Sequence, residues 1–306
     1  MKKTLLGAIG VIGVGVLALS ACSDPTASTG GGSSSDSDTI AIGSANFPES
    51  ELLGEIYAQA LEAKDVKVSR TFNIGAREVY LKALEDGSID LLPEYNGALL
   101  AALSTDGVDE GVTSPDDVYD ALQDVLPDGI VSLPQSEAED KDTLTVTRAT
   151  ADQYSLSTIE DLEPVAGELR LAGGPEFAER QQGVVGLESV YGLTFKEFVP
   201  LDAGGPLTLA ALENGDVEVA NLFSTDSAIT TNDLVTLEDT KNLFLSENIV
   251  PIIREDKSSD TVEEALNGVS EALTTENLTE YLAMVQVDKK DSASVATAFL
   301  TEYDLL

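Results

Sequence analysis

A two-lobed α/β fold is predicted by three features of this 306-residue chain. Short β-like runs alternate with helical patterns, one helix-Gly-strand phrase occurs twice, and two β-rich segments flank the middle third of the chain. Thr39 to Gly43 reads as a short strand ending in glycine. Pro48 follows where a first helical turn tolerates it, and Leu53, Ile56, Tyr57, Ala60 and Leu61 recur at the spacing of an amphipathic helix. Val66 to Phe72 predicts a second strand, followed by Gly75 and a helix through Val79 and Leu84 that stops at Gly87. Ala83 to Tyr95 then aligns without a gap on Ala211 to Phe223, an offset of 128 residues. Each copy reads as a helix end, a Gly stop, a short strand and an aromatic at the strand's exit. Leu169 to Phe177 repeats the strand-Gly-helix opening of Ile40 to Phe47.

Two similarly built lobes follow from that repeat. Thr143 to Thr147 and Asn248 to Ile253 are the expected crossings, which divides the chain into lobe 1 (39–144 and 248–306) and lobe 2 (145–247). In open α/β sheets, ligands sit beyond the carboxyl ends of the strands. The loops at Ser44 to Phe47, Tyr95 to Ala98, Gly173 to Phe177 and Phe223 to Asp226 are therefore expected to face a cleft, and the paired crossings to act as a hinge.

Composition closes several routes to function. The chain has 55 Asp+Glu against 17 Lys+Arg, a net charge of -38, no His and one Cys. A histidine-centred triad, a Cys/His zinc site, a CxxC redox pair and an intrachain disulfide are unavailable. Nucleic acid is excluded as a partner by charge repulsion and by the lack of any basic run. No Gly-x-x-x-x-Gly-Lys-Ser/Thr phosphate loop occurs, and nothing pairs carboxylates at a spacing that marks acid/base catalysis. An enzyme is not expected, nor a metal or cofactor. The acidic excess reads as a solvated surface or as a field that concentrates cations.

The first 38 residues read as an address. Lys2 and Lys3 precede an apolar stretch from Thr4 to Leu19, too short and Gly-rich for a spanning helix. Leu19-Ser20-Ala21-Cys22 resembles the bacterial lipobox, which implies a signal peptide over 1–21 and acylation of Cys22. Residues 22–38, rich in Ser and Gly, read as a flexible tether. Two acyl chains would hold the protein at the cell membrane, facing the extracytoplasmic side.

Two segments then carry a family resemblance. Ile42-Gly43-Ser44-Ala45-Asn46-Phe47-Pro48-Glu49-Ser50 and Gly87-Ser88-Ile89-Asp90-Leu91-Leu92-Pro93-Glu94-Tyr95-Asn96-Gly97 closely resemble the substrate-binding proteins of osmoprotectant ABC importers. Further matches are Pro175-Glu176-Phe177 with Arg180, Gly186-Leu187 through Tyr191-Gly192, and Phe223-Ser224-Thr225-Asp226. The resemblance implies a periplasmic-binding-protein fold of type II-like form, with the ligand cleft between lobes joined by a two-segment hinge. It implies a receptor, expected to be a monomer, that takes glycine betaine, choline or a related quaternary amine and delivers it to ABC permease subunits. An amino acid or other polar solute, or another protein, are the alternative ligands.

A quaternary ammonium has no N–H to donate, so aromatic faces must hold it. The resemblance puts Tyr95 and Phe223 at the family's cage positions, and Arg180 where an arginine could grip a carboxylate. Tyr95 and Phe223 also read as core aromatics, and Arg180 as a salt-bridge partner of Glu176 or Glu179. Ala45, Ala98 and Asp142 depart from the family pattern; Asp142 either faces a cation or is simply solvated. Phe47 and Phe177, at loop-to-helix starts, are further ring candidates or else core aromatics. Ser44 and Asn46 stand near a helix start, either as caps or as part of an anion-favouring terminus. The motif positions Asn96, Glu176, Thr225 and Asp226 complete the expected ligand-binding set.

Overall fold

Sheet formation follows the apolar runs of the sequence, and the computed structural model describes residues 38–104, 107–109 and 111–306. The signal segment, Cys22 and nearly all of the tether lie outside the described residues. The first lobe opens with β1 (Thr39–Gly43), α1 (Pro48–Glu62), β2 (Lys67–Thr71), α2 (Arg77–Glu85) and β3 (Leu91–Tyr95). It continues with α3 (Asn96–Leu103), α4 (Pro115–Val125) and β4 (Ile130–Ser132). The second lobe holds β5 (Asp142–Thr147), α5 (Arg148–Tyr154), β6 (Arg170–Gly173), α6 (Val184–Tyr191) and β7 (Glu197–Pro200). Its remaining elements are α7 (Pro206–Glu213), β8 (Val219–Phe223), α8 (Ser227–Thr231) and β9 (Leu234–Thr236). The chain then returns through β10 (Ile249–Arg254) to the helices α9 (Asp260–Ala272), α10 (Thr275–Gln286) and α11 (Ser292–Glu302).

The two sheets share one plan. Strand orders are β2-β1-β3-β10-β4 and β7-β6-β8-β5-β9, so each has three parallel strands, an antiparallel crossing strand and a short edge. The internal repeat lands on β3 and β8, the central strand of each sheet. Asp90 and Glu218, which correspond in the repeat, do the same work. Asp90 Oδ2 accepts from the Ala41 amide at 2.9 Å, and Glu218 Oε2 accepts from the Arg170 amide at 2.8 Å, tying the central strand to its parallel neighbour.

Crossing strands join the lobes. β10 pairs with β3, Ile249 opposite Tyr95, and β5 pairs with β8, Asp142 opposite Phe223. The first crossing comes earlier than the sequence suggests, because Asp142, Thr143 and Leu144 are paired with Phe223, Leu222 and Asn221 and so belong to the second sheet. Glu139 bridges Asn248, and the Asp140 amide donates to the Glu247 carbonyl at 3.1 Å, so the two connecting segments run side by side.

Burial explains why α1 anchors the first lobe. It lies between its sheet and the C-terminal helices α9, α10 and α11, with Leu52, Leu53, Ile56 and Leu61 in one apolar cluster with Val262, Leu266, Phe299 and Leu300. β3 is buried along its whole length, as a central strand covered on both faces must be. The second lobe has its own core around Leu144, Leu171, Phe177, Leu187 and Val219. No helix among the described residues is long and apolar enough to cross a membrane.

Candidate functional site

Both central strands end at one cavity between the lobes, about 590 Å³ with its mouth included. Its apolar wall is built from three rings, Phe47 on the β1–α1 loop and Tyr95 and Phe223 at the last residues of β3 and β8. Phe47, at the N-cap of α1, lies with its centroid 5.9 Å from Tyr95 and 5.1 Å from Phe223. Phe47 and Tyr95 belong to the first lobe and Phe223 to the second, so the wall exists only when the lobes meet. Ring spacings of this size put the faces within mutual contact range. Phe177 adds a fourth ring from the second lobe, buried and paired with Phe198 at 6.5 Å. The positions where this chain departs from the family pattern, Ala45, Ala98 and Asp142, all line the cavity.

Close backbone approaches make room for these rings. Gly204 has φ +58°, and a Cβ there would lie 2.5 Å from Phe223 Cδ2. Gly97, directly after Tyr95-Asn96, passes so near the returning segment that a Cβ would sit 2.3 Å from the Ser246 carbonyl oxygen. Asn96 reinforces that approach. It is buried with its Oδ1 accepting from the Asn248 amide at 2.8 Å and its Nδ2 donating to Gln135 Oε1 at 2.6 Å. Asn96 therefore ties β3 to the crossing and does not face the cavity, which corrects its expected place in the ligand set.

Ser44, Thr225 and Asp226 likewise lie off the main cavity. Ser44 is fully buried; its hydroxyl accepts from the Asn73 amide and donates to the Ala45 carbonyl, fixing the β1–α1 loop from behind. Neither Ser44 nor Asn46 caps α1, whose N-cap is Phe47 with no side-chain bond; Asn46 is exposed at the cavity rim. Thr225 and Asp226 lie behind the ring wall, lining a smaller adjoining pocket of about 230 Å³ with Glu49 and Asp140. Asp226 caps α8 by accepting from the Ala228 amide at 2.9 Å.

Polar groups divide into paired and unpaired sets. Arg77, from the first turn of α2, lies buried against the cavity and donates to both oxygens of Glu94 at 2.7 and 3.0 Å. Tyr80, three residues on and on the same helix face, donates to Glu94 Oε1 at 2.7 Å, and the Tyr95 amide donates to Oε2. Glu94 is thus saturated and holds β3, α2 and Tyr95 in one frame. Arg180 spans the cleft to Glu78, donating to its two oxygens at 3.1 Å each. Its partner is Glu78 of the first lobe, in place of Glu176 or Glu179 of its own loop.

Acidic groups dominate what remains. Asp142 accepts from Asn221 Nδ2 at 2.7 Å, and burial raises it above the ordinary carboxylate range. Glu176 lines the opposite wall, half-buried. Glu247, two residues before β10, is 4% exposed, and its Oε1 has no hydrogen-bond partner among the described residues. Burial, then the charge of Asp142, pushes Glu247 well above its usual value. Behind the rings, Glu49 and Asp140 face each other; burial raises Glu49, and burial, then the charge of Glu49, pushes Asp140 well up.

Sequence reading thus reached Tyr95, Phe223, Phe47, Asp142, Asn46, Glu176 and Arg180 as neighbours of one cavity. Arg77, Tyr80, Asp140 and Glu247 were missed. Arg77 and Tyr80 had a signal in their i, i+3 spacing at the start of a helix, and Glu247 in its place directly before the crossing. No cluster of three or more His, Cys, Asp or Glu side chains able to hold a metal occurs among the described residues. The arrangement of several rings with buried carboxyls is suited to a cation whose hydration must be replaced.

Comparison with known proteins agrees with that chemistry. Residues 38–302 match the family described as the substrate binding domain of ABC-type glycine betaine transport system. The glycine-betaine-binding protein of Pseudomonas aeruginosa is 26% identical, with 88% of this chain and 89% of that protein covered. The carnitine transport binding protein OpuCC of Listeria monocytogenes is 26% identical over 98% of this chain and 97% of its own. Among solved structures, a glycine betaine/carnitine/choline ABC transporter protein superposes with TM-score 0.68 at 22% identity, covering 87% of this chain and 99% of the other. A choline-binding protein in complex with choline superposes at 0.63 with 14% identity, covering 87% of this chain and 89% of the other; at these identities the likeness is one of fold. With the family model spanning most of its length and the lobes built as the fold requires, this chain belongs to the family of substrate-binding domains of ABC-type glycine betaine transport systems.

Proposed function

We propose that this chain is an extracytoplasmic receptor that holds a quaternary-ammonium solute between its lobes and delivers it to an ABC permease. The observation that carries the reading is the meeting of Phe47, Tyr95 and Phe223, from both lobes, around one cavity. Each ring face is worth about 0.5 to 2 kcal/mol to a desolvated cation. Lobe closure supplies the desolvation, because Phe223 reaches the other two rings only in the closed arrangement. The crossings at Glu139–Asn248 are the natural hinge, since only they carry the chain between the sheets. Membrane attachment through an acylated Cys22 belongs to the same reading, and rests on the Leu19-Ser20-Ala21-Cys22 sequence.

A thermal-shift series on the full chain tests it, using glycine betaine, choline, carnitine, proline and a panel of amino acids. A dose-dependent rise with a quaternary amine is expected, equivalent to about 2.7 kcal/mol at a hundredfold excess over Kd. Phe223→Ala should weaken that ligand by roughly 2- to 30-fold. Shifts confined to non-quaternary solutes would discard the ring cage.

A further inference from the structure

We infer that Glu247 selects the ligand, so that the cleft takes a net cation carrying a hydrogen-bond donor, of the amino-alcohol type, in preference to a betaine zwitterion. This rests on the receptor reading above and narrows its ligand class.

The charges around the cavity carry the inference. Two cationic side chains line it, and both are already neutralised at short range. Arg77 is locked bidentate on Glu94, and Arg180 is held by Glu78 at the mouth. A ligand carboxylate would have to compete with a protein carboxylate for either one. On the acidic side, Asp142 has the Asn221 amide as a neutral partner and Glu176 is half-buried at the wall. The Arg180 and Arg77 charges reach Asp142, but among the described residues no ion pair within 4 Å is made by Asp142 or Glu176. The cleft therefore presents excess negative charge to whatever enters it.

Glu247 adds the donor requirement. It is almost wholly buried, lines the cavity, and leaves Oε1 unpartnered among the described residues. Buried carboxyl oxygens are costly to leave unbonded. A trimethylammonium group cannot satisfy this oxygen, because it has no N–H or O–H. A hydroxyl on the same ligand can. The cavity thus separates two tasks: the rings Phe47, Tyr95 and Phe223 take the methylated head, and Glu247 takes the hydroxyl. A ligand cation favours the ionised forms of Asp142 and Glu247, whereas a ligand carboxylate beside them opposes that ionisation. Sites that hydrogen-bond a ligand hydroxyl reject the analogue lacking it, because the protein's own group is left unpaired.

Isothermal titration of the full chain with choline, ethyltrimethylammonium and glycine betaine tests this. Ethyltrimethylammonium is choline without the hydroxyl oxygen. Choline is expected to bind at least about tenfold tighter than either. Glu247→Leu should bring choline and ethyltrimethylammonium to near-equal affinity, while the latter is held as well as before by the unchanged rings. Glu247→Gln keeps an acceptor, so it should preserve the choline preference over ethyltrimethylammonium but narrow the preference over glycine betaine. Circular-dichroism melting establishes that each variant is folded, and the wild-type comparison stands even if Glu247→Leu is not. Equal affinity for choline and ethyltrimethylammonium in the wild type, tightest binding of glycine betaine, or a Glu247→Gln protein with unchanged preferences would overturn the inference and leave the receptor reading intact. If none of the three solutes binds, the receptor reading itself fails.

Discussion

Thr225 of the second lobe donates its hydroxyl to Glu49 Oε2 of the first at 2.5 Å, while the Tyr95 hydroxyl donates to Glu49 Oε1 at 2.8 Å. Glu49 is therefore the point where a cage ring, the opposite lobe and the crossing residue Asp140 converge. Asp140 in turn accepts from the Thr225 amide at 3.0 Å, so the Phe223-Ser224-Thr225-Asp226 loop is gripped from behind its ring. This gives the buried Thr225 a positioning role: it sets where Phe223 points.

Glu49→Ala strands two buried hydroxyls at once. The expected loss is about 3 kcal/mol of unfolding free energy, since each unpartnered buried group costs about 1–3 kcal/mol. Urea denaturation without ligand measures it. Thr225→Val removes one hydroxyl at constant volume and should cost about 1 kcal/mol. Because it also frees the interlobe contact, it should weaken ligand binding even though Thr225 does not face the main cavity.

Arg180 and Glu78 form a latch across the cleft mouth, with side chains 27% and 59% exposed. Burial works against the Glu78 charge, yet the Arg180 hydrogen bonds, the helix-start backbone amide and the charges of Arg180 and Arg77 together hold Glu78 below its ordinary value. Solvent screens such a pair, so Arg180→Ala should change stability by less than about 1 kcal/mol. It should speed ligand release, read by stopped-flow dissociation, and the wild-type release rate should rise with salt. The effect should be equal for choline and glycine betaine. A loss confined to glycine betaine would mean that Arg180 grips a ligand carboxylate.

Stability should rise as the solution is made mildly acidic. Glu49, Asp140, Asp142, Asp226 and Glu247 all stand above their ordinary values, chiefly through burial. The folded state therefore binds more protons than the unfolded one above about pH 4, and its stability falls as pH climbs from there through the raised values. A net charge of -38 adds self-repulsion in the same direction. Glu62, Glu78 and Glu218 are lowered, and Asp161, held by the Ser157 and Thr158 amides, lies at about 2. Their contribution is present at neutral pH and lost below about pH 4. The apo protein should melt higher near pH 5 than near pH 8, with stability falling again in stronger acid. Cation binding beside Asp142 and Glu247 should release protons and weaken as pH falls, seen as a buffer-dependent heat in calorimetry.

Local chemistry in the sequence determined the α/β alternation, the duplicated strand-Gly-helix phrase and the loops that end in rings. Those features depend on residue spacing within a dozen positions, where apolar periodicity and glycine stops act directly. Tyr95 and Phe223 were legible because each ends a duplicated central strand, and Asp142 because it departs from the pattern of the family that the chain resembles. Tertiary structure alone decided which charges were spent. Arg77 and Glu94 are 17 residues apart, and Arg180 and Glu78 are 102 apart. Only packing of helix on strand, and of lobe on lobe, brings each pair within bonding distance. It also sorted neighbours in a motif to opposite tasks: Tyr95 faces the cavity while Asn96 turns away to hold Asn248, because helix α3 begins at that step and rotates the next side chain off the cleft. Glu247 was hidden for the same reason: whether a carboxyl two residues before a strand is solvated or sealed depends on what the second lobe places over it.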